Sequence, residues 1–178
     1  SGLALRMAVN VSMDNLTSLD FADFVIEKTA EMTNITPRNI VLEVTESRLM
    51  EDLCVPLEIL TRLCINHFRL SIDDFGTGHS SLSQLQNIPF TELKIDRRFV
   101  HNAKFDKTAR AIYKASLDLA KKIGIESMAE GVEDQNDWDF LRQTKCDFAQ
   151  GYFIAKPMPA ESLIGWMQSW ESRRTNLL

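Results

Sequence analysis

Apolar and polar positions along the chain switch repeatedly between a period of two and a period near 3.6, which predicts strands and helices in strict alternation. Leu5 to Val11 alternates and ends in Asn10-Val11-Ser12, a strand. Leu19 to Met32 carries Phe21, Phe24, Val25, Lys28 and Met32 at helical spacing, with Asp20 available as the N-cap. Asn39 to Glu46 is β-branched and nearly continuously apolar, as in a strand buried on both faces. A second helix follows with Leu53, Leu57, Leu60, Leu63 and Cys64 on one side.

Phe68 to Asp74 reads as the next strand, followed by the turn Phe75-Gly-Thr-Gly78 and a short helix from Ser80 or Ser81. Glu92 to Asp96 is a short strand. Asp106 to Ile123 is the longest helix, with Ala109, Ile112, Ser116, Leu119, Ala120 and Ile123 facing inward and Gly124 as its C-cap. Ile125 to Val132 and Phe148 to Ile154 read as strands flanking a helix over Gln135 to Thr144. A last helix runs from about Ala160 to Trp170, and a polar tail follows from about Glu171. Six strand-then-helix units without a linker imply a parallel sheet with helices outside it. Two architectures satisfy that order, an open doubly wound sheet and a (β/α)8 barrel. The absence of G-x-G-x-x-G weakens the dinucleotide-binding form of the first.

Composition narrows the function classes. The 178 residues are 44% hydrophobic and 25% charged with net charge −5, an ordinary globular balance. No basic block supports a grip on polymeric nucleic acid, and no apolar run is long enough to span a bilayer. Three cysteines without metal-ligand spacing fit a reduced, cytoplasmic setting. A chain beginning at Ser1 suggests a fragment or processed product.

The informative residues stand at the strand ends: Asn10, Glu43 with Glu46, Asp73 with Asp74, Lys94 with Asp96, Glu130 with Glu133, and Gln150. A parallel sheet brings all strand C-termini to one rim, where barrel enzymes place their chemistry. Converging carboxylates raise one another's pKa unless a cation joins them. An all-oxygen set without His or Cys suits Mg2+ or Mn2+ rather than Zn2+. Adjacent Asp73-Asp74 suits two bridged ions and in-line attack on a phosphodiester. Each residue also has a plainer reading. The Asp pair could open the glycine turn, Asn10 could form a turn, and Lys94 could be the salt-bridge partner of a strand-end carboxylate. Recurrence at corresponding places in successive units favours one shared site. His67, His79 and His101 lack ligand spacing, and Trp138, Trp166 and Trp170 read as packing residues.

Asn10-Val-Ser12, Glu43-Val-Thr-Glu46, Asp73-Asp-Phe-Gly-Thr-Gly78 with Ser80-Ser-Leu82, Lys94-Ile-Asp96, Ala129-Glu-Gly-Val-Glu133 and Gln150-Gly-Tyr152 with Pro157 resemble, in order, the motif series of EAL domains. These are bacterial phosphodiesterases that linearise cyclic di-GMP. The resemblance implies an incomplete TIM-type (β/α)8 barrel with six βα units, residues 1–178 forming a single C-terminal portion of the domain. It implies Asn10, Glu43 and Asp73 as ligands of a first Mg2+ or Mn2+, and Asp73, Asp74 and Glu130 as ligands of a second. Lys94 and Glu130 would be catalytic and Gln150 substrate-binding. Glu46, Gly76 and Gly78 would steady the Asp-Asp-Phe-Gly-Thr-Gly loop, and Asp96 and Glu133 would have supporting roles.

The Glu-Ala-Leu signature itself does not occur in the chain. Its Glu ligates the first metal in the family, so the expectation is a truncated, inactive fragment of a phosphodiesterase with an upstream regulatory or sensor domain. At roughly 250 residues for eight units, 178 residues supply about 5.7 of them. Two unpaired sheet edges, through which copies could associate, are then expected. The alternatives are a non-catalytic cyclic di-GMP receptor and, with the resemblance set aside, a barrel lyase using Lys94 as a Schiff-base nucleophile.

Overall fold

The computed structural model of the chain describes residues 5–46, 54–77 and 87–177. Six parallel strands lie side by side in chain order: β1 (Met7–Asn10), β2 (Ile40–Thr45), β3 (Arg69–Phe75), β4 (Glu92–Ile95), β5 (Glu126–Ala129) and β6 (Phe148–Ala149). A doubly wound sheet reverses strand order at a switch point. The unbroken order found here is that of a barrel wall, and it decides between the two architectures. The wall is curled: Arg6, just before β1, reaches Glu126 Oε2 at 2.6 Å and stacks 4.5 Å over the Phe148 ring at the start of β6.

The helices are α1 (Asp20–Ala30), α2 (Cys54–Ile65), α3 (Arg97–Asn102), α4 (Lys107–Ile123), α5 (Gln135–Thr144) and α6 (Leu163–Leu177). α2 packs on β3 and α4 on β4 and β5, so helices back the sheet. The central strands are buried on both faces: Leu42, Val44, Leu70, Ile72, Leu93 and Ile95 are each no more than 3% exposed. Burying a side chain of this size stabilises by roughly 1.5–3 kcal/mol. β1 differs. Met7 and Val9 are 62% and 43% exposed, and the strand pairs only with β2 among the described residues.

Several local expectations are corrected. Asp20 is the first residue of α1 and not its cap: Leu19 stands at the N-cap position without a side-chain cap, and the Asp20 N–H donates to Ser18 Oγ at 3.3 Å. Phe24 and Met32 of that region face solvent, and the buried positions are Ala22 and Thr29. In α4 the C-cap Gly124 has φ +76° as its left-handed position requires. Ile123, however, is exposed, and Tyr113 is buried instead, its hydroxyl 2.9 Å from Thr144 Oγ1. β6 stops at Ala149 because residues 152–154 turn away. α6 continues through Glu171 to Leu177, the stretch whose polarity suggests a tail. Arg173 stacks over Phe153 and Trp170, and Leu177 O accepts from Arg142 Nη1 at 2.7 Å. The expected short helix from Ser80 or Ser81, together with Gly78, lies outside the described residues.

Candidate active site

Strand pairing brings the site together. Asn10 stands opposite Glu43, Glu43 opposite Ser71, and Thr45 opposite Asp73, while Lys94 pairs with Met128 two residues before Glu130. Side chains two apart on a strand share a face, so Asn10, Glu43, Asp73, Lys94 and Glu130 belong to the inner face at the carboxyl rim. Asp74 should by that rule point the other way. Between Ile72 and Phe75, however, β3 slips against β4, and Asp74 takes φ +56°. This irregularity lets two consecutive carboxylates face one rim, and aspartate tolerates the left-handed conformation better than most residues.

At the centre is Lys94, whose side chain is 3% exposed. Its Nζ lies 2.6 Å from Glu130 Oε1, 2.9 Å from Glu43 Oε1 and 3.1 Å from Asp73 Oδ1. Burial works against its charge, but Glu130, then Glu43 and Asp73, outweigh it and hold the ammonium above the ordinary lysine range. A lysine so held is a weak amine nucleophile, which speaks against the Schiff-base reading.

Burial pushes the Glu130 carboxyl up, Lys94 pulls it down, and Asp73 and Glu43 push it up again; the net direction is upward. Asp74 is likewise raised, by burial, by the Asp73 charge and by a hydrogen bond shared with Asp96. Asp96 is held low despite burial, by the Arg98 N–H and guanidinium and by Asp74. One ammonium thus faces more carboxylates than it can neutralise.

Oxygens of Asp73, Asp74 and Glu130 all lie within 4.8 Å of one another. In an octahedral Mg2+ shell adjacent ligands lie about 3.0 Å apart and opposite ones about 4.2 Å, so side-chain adjustment would let these oxygens share one ion. An all-oxygen, strongly anionic donor set therefore fits a hard divalent cation. Asp73, Asp74 and Glu130 could hold one ion; Asn10 and Glu43, side by side at the neighbouring strand ends, could hold another with Asp73.

The loop after β3 is tied down. Buried Glu46 accepts the Gly76 N–H at Oε2, 2.9 Å away. Gly76 has φ +95°, a backbone state that a side chain would strain, and an added Cβ would stand 2.9 Å from the Phe99 ring. Asp96 accepts the Arg98 N–H at 2.8 Å and caps α3, a helix that hydrophobic periodicity misses because Arg97–Asn102 is too short to show a period.

Gln150 follows β6 directly. Its N–H donates to Ala129 O, and its carbonyl accepts from Val132 N–H. Gln150 and the exposed Glu133 line a cavity of about 250 Å3 beside Glu130, together with Arg97 and Tyr152. Arg97 is an addition to the residues read from sequence, and Tyr152, named there only within a motif, joins the lining. A larger cavity of about 630 Å3 lies between α4 and α5, lined by Lys104, Arg110, Lys114 and Asp118 among others. It holds none of the converging strand-end groups, so the rim is the candidate site.

A family model described as "EAL domain" matches residues 2–157. "Bifunctional diguanylate cyclase/cyclic di-GMP phosphodiesterase MucR" of Pseudomonas aeruginosa is 38% identical over 154 residues, covering 84% of this chain and 22% of that protein. Among solved structures, "PaMucR Phosphodiesterase, c-di-GMP complex" superposes with a TM-score of 0.83 at 38% identity, over 89% of this chain and 64% of that one. A Klebsiella pneumoniae BlrP1 manganese/cy-diGMP complex gives 0.79 at 26% identity, over 85% and 39%. The chain spans 20% and 22% of the length of two of the curated relatives that it matches. No helix among the described residues is long and apolar enough to cross a membrane.

Proposed function

The chain belongs to the EAL domain family, and from that membership we propose that it carries the catalytic rim of a divalent-metal phosphodiesterase that opens cyclic di-GMP to linear pGpG. The observation that supports this most is the convergence of Glu43, Asp73 and Glu130 on one buried ammonium, with Asp74 alongside. Relatives named as cyclic di-GMP phosphodiesterases, and a neighbour solved with manganese and the dinucleotide, support the substrate and the type of metal.

In this reading Asn10, Glu43 and Asp73 hold one Mg2+ or Mn2+, and Asp73, Asp74 and Glu130 hold the second. When bound, the ions supply an acidified water and neutralise the phosphoryl oxygens. Glu130, placed beside Lys94 and the second ion's position, would accept the proton of the attacking water. Lys94 keeps its proton and offsets charge growing on the phosphoryl oxygens. Attack breaks one bridging P–O bond and leaves a terminal phosphate on the opened dinucleotide. Glu46 and Gly76 keep the Asp73-Asp74 loop in place, Asp96 fixes Asp74, and Gln150 and Glu133 border the substrate cavity.

The signature Glu-Ala-Leu tripeptide is absent from the chain. We infer that the chain alone therefore holds the first ion weakly and turns over slowly. A cytoplasmic setting, an attached sensor domain and association of copies along the exposed β1 edge complete the proposal.

The test is chromatography of cyclic di-GMP incubated with the protein in Mn2+ or Mg2+. Linear product is expected, with Lys94→Ala and Glu130→Gln slower by about 10²–10⁴-fold. Undiminished turnover by both variants contradicts the assignment, and binding without hydrolysis supports a receptor instead.

A further inference from the structure

Arg97 lies beside Glu130, Glu133, Gln150 and Tyr152 around the rim cavity and is exposed to it. The cations near it are already engaged. Lys94 is shared by three carboxylates, and the Arg98 Nε donates to Asp96 Oδ1 at 2.9 Å. Arg97 makes no ion pair with any described residue, although two carboxylates border the same cavity.

Its backbone is held by a tight frame. A Cβ placed on Gly131, which has φ +67°, would fall 2.3 Å from Arg97 Cβ and 3.2 Å from its Cα, so the β5–α5 loop packs directly on the first residue of α3. The same two elements are tied again by buried Asp137, whose Oδ2 accepts the Glu133 N–H at 3.0 Å and lies 3.1 Å from His101 Nδ1. An unpaired guanidinium on a fixed mount, beside the candidate metal ligands, is arranged for an anionic ligand group.

A cyclic dinucleotide supplies one. It carries two phosphodiesters, of which only one can occupy the carboxylate-and-metal centre. The other remains a monoanion, and near Glu130 and Glu133 it needs a counter-charge. We infer that Arg97 is the specificity residue that holds this uncut phosphodiester, through the two-pronged donor geometry that guanidinium offers a phosphate. The inference rests on the proposed substrate.

Steady-state kinetics in Mn2+ would compare cyclic di-GMP with bis(p-nitrophenyl) phosphate, which has a single phosphodiester. Only cyclic di-GMP offers the second phosphate to the guanidinium. The fall in kcat/KM for Arg97→Ala should therefore be about tenfold larger on cyclic di-GMP, mostly through KM, as expected for a charge-assisted hydrogen bond. Arg97→Lys, which keeps the charge, should recover part of it. Equal losses on both substrates would mean that Arg97 merely supports the loop, and unchanged kinetics on both would mean that it does not touch the substrate. Either result overturns the inference. A wild-type protein that neither binds nor cuts cyclic di-GMP overturns the proposed substrate instead, a failure visible before any variant is made.

Discussion

The inner face of the curled sheet carries two ionic clusters, one at each end of the strands, and they are built on opposite terms. At the amino-terminal base, Arg6 and Arg69 both bind Glu126 Oε2, and Glu92 stands close to both arginines. Two cations meet two carboxylates, and Arg6, Arg69 and Glu126 are a quarter to a third exposed or more. At the carboxyl rim, Lys94 meets Glu43, Asp73 and Glu130, with Asp74 beside them, and Lys94 is almost wholly buried. Two unit charges 4 Å apart repel by about 4 kcal/mol at an effective dielectric of 20, so the rim's excess is costly without added cations. The base is balanced in charge within the chain; the rim carries an excess of carboxylates that a cation would offset. Buried charge alone does not single out a candidate site; buried charge left out of balance singles it out more sharply.

Replacing Lys94 breaks the contrast most severely. Lys94→Ala should cost about 3–5 kcal/mol in metal-free protein, because three carboxylates lose their shared partner. Part of that loss should return on adding Mn2+, as denaturant melts with and without chelator would show. Asp74→Asn keeps the left-handed backbone but removes one like charge. It should raise metal-free stability by about 1 kcal/mol while removing most of the stabilisation that Mn2+ brings. Glu126→Gln at the base should do the reverse. Because its pairs are partly solvated, it should cost about 0.5–1 kcal/mol and leave the Mn2+ effect intact.

The smallest effect concerns the rim's support. His101 is raised by its hydrogen bond and charge attraction to Asp137, with Glu133 and Asp134 adding to it. A histidine raised on folding stabilises fully below its unfolded pKa of about 6.5, and loses that contribution as pH climbs through the folded value. The stability gap between wild type and His101→Gln should therefore narrow from about pH 6 to about pH 9, measured by melts across that range. A gap that stays constant across that range would mean that His101 holds Asp137 without its charge.

What can be read from sequence follows from how the two periods work. Asn10, Glu43, Lys94 and Glu130 are legible as one site because alternating strands joined by helices force parallel pairing, and parallel pairing aligns strand ends. Adjacent Asp73 and Asp74 announce a site by chemistry alone. That both face the rim depends on the slip in β3 and on the φ of Asp74, which no alternation pattern contains. In sequence Asp96 looks like a spare carboxylate because α3, the helix it caps, has no period to detect. The burial of Tyr113 is hidden because it depends on Thr144, a partner distant in sequence, and the place of Arg97 because an exposed arginine leaves no pattern.

The central claim, that the rim is left anionic to take divalent cations and the base is not, is tested most directly by titrating Mn2+ and following the electron paramagnetic resonance of the free ion. Wild type and Glu126→Gln should bind alike, and Asp74→Asn should bind at least about tenfold more weakly. Equal weakening by Glu126→Gln and Asp74→Asn, or no binding by wild type, would contradict it.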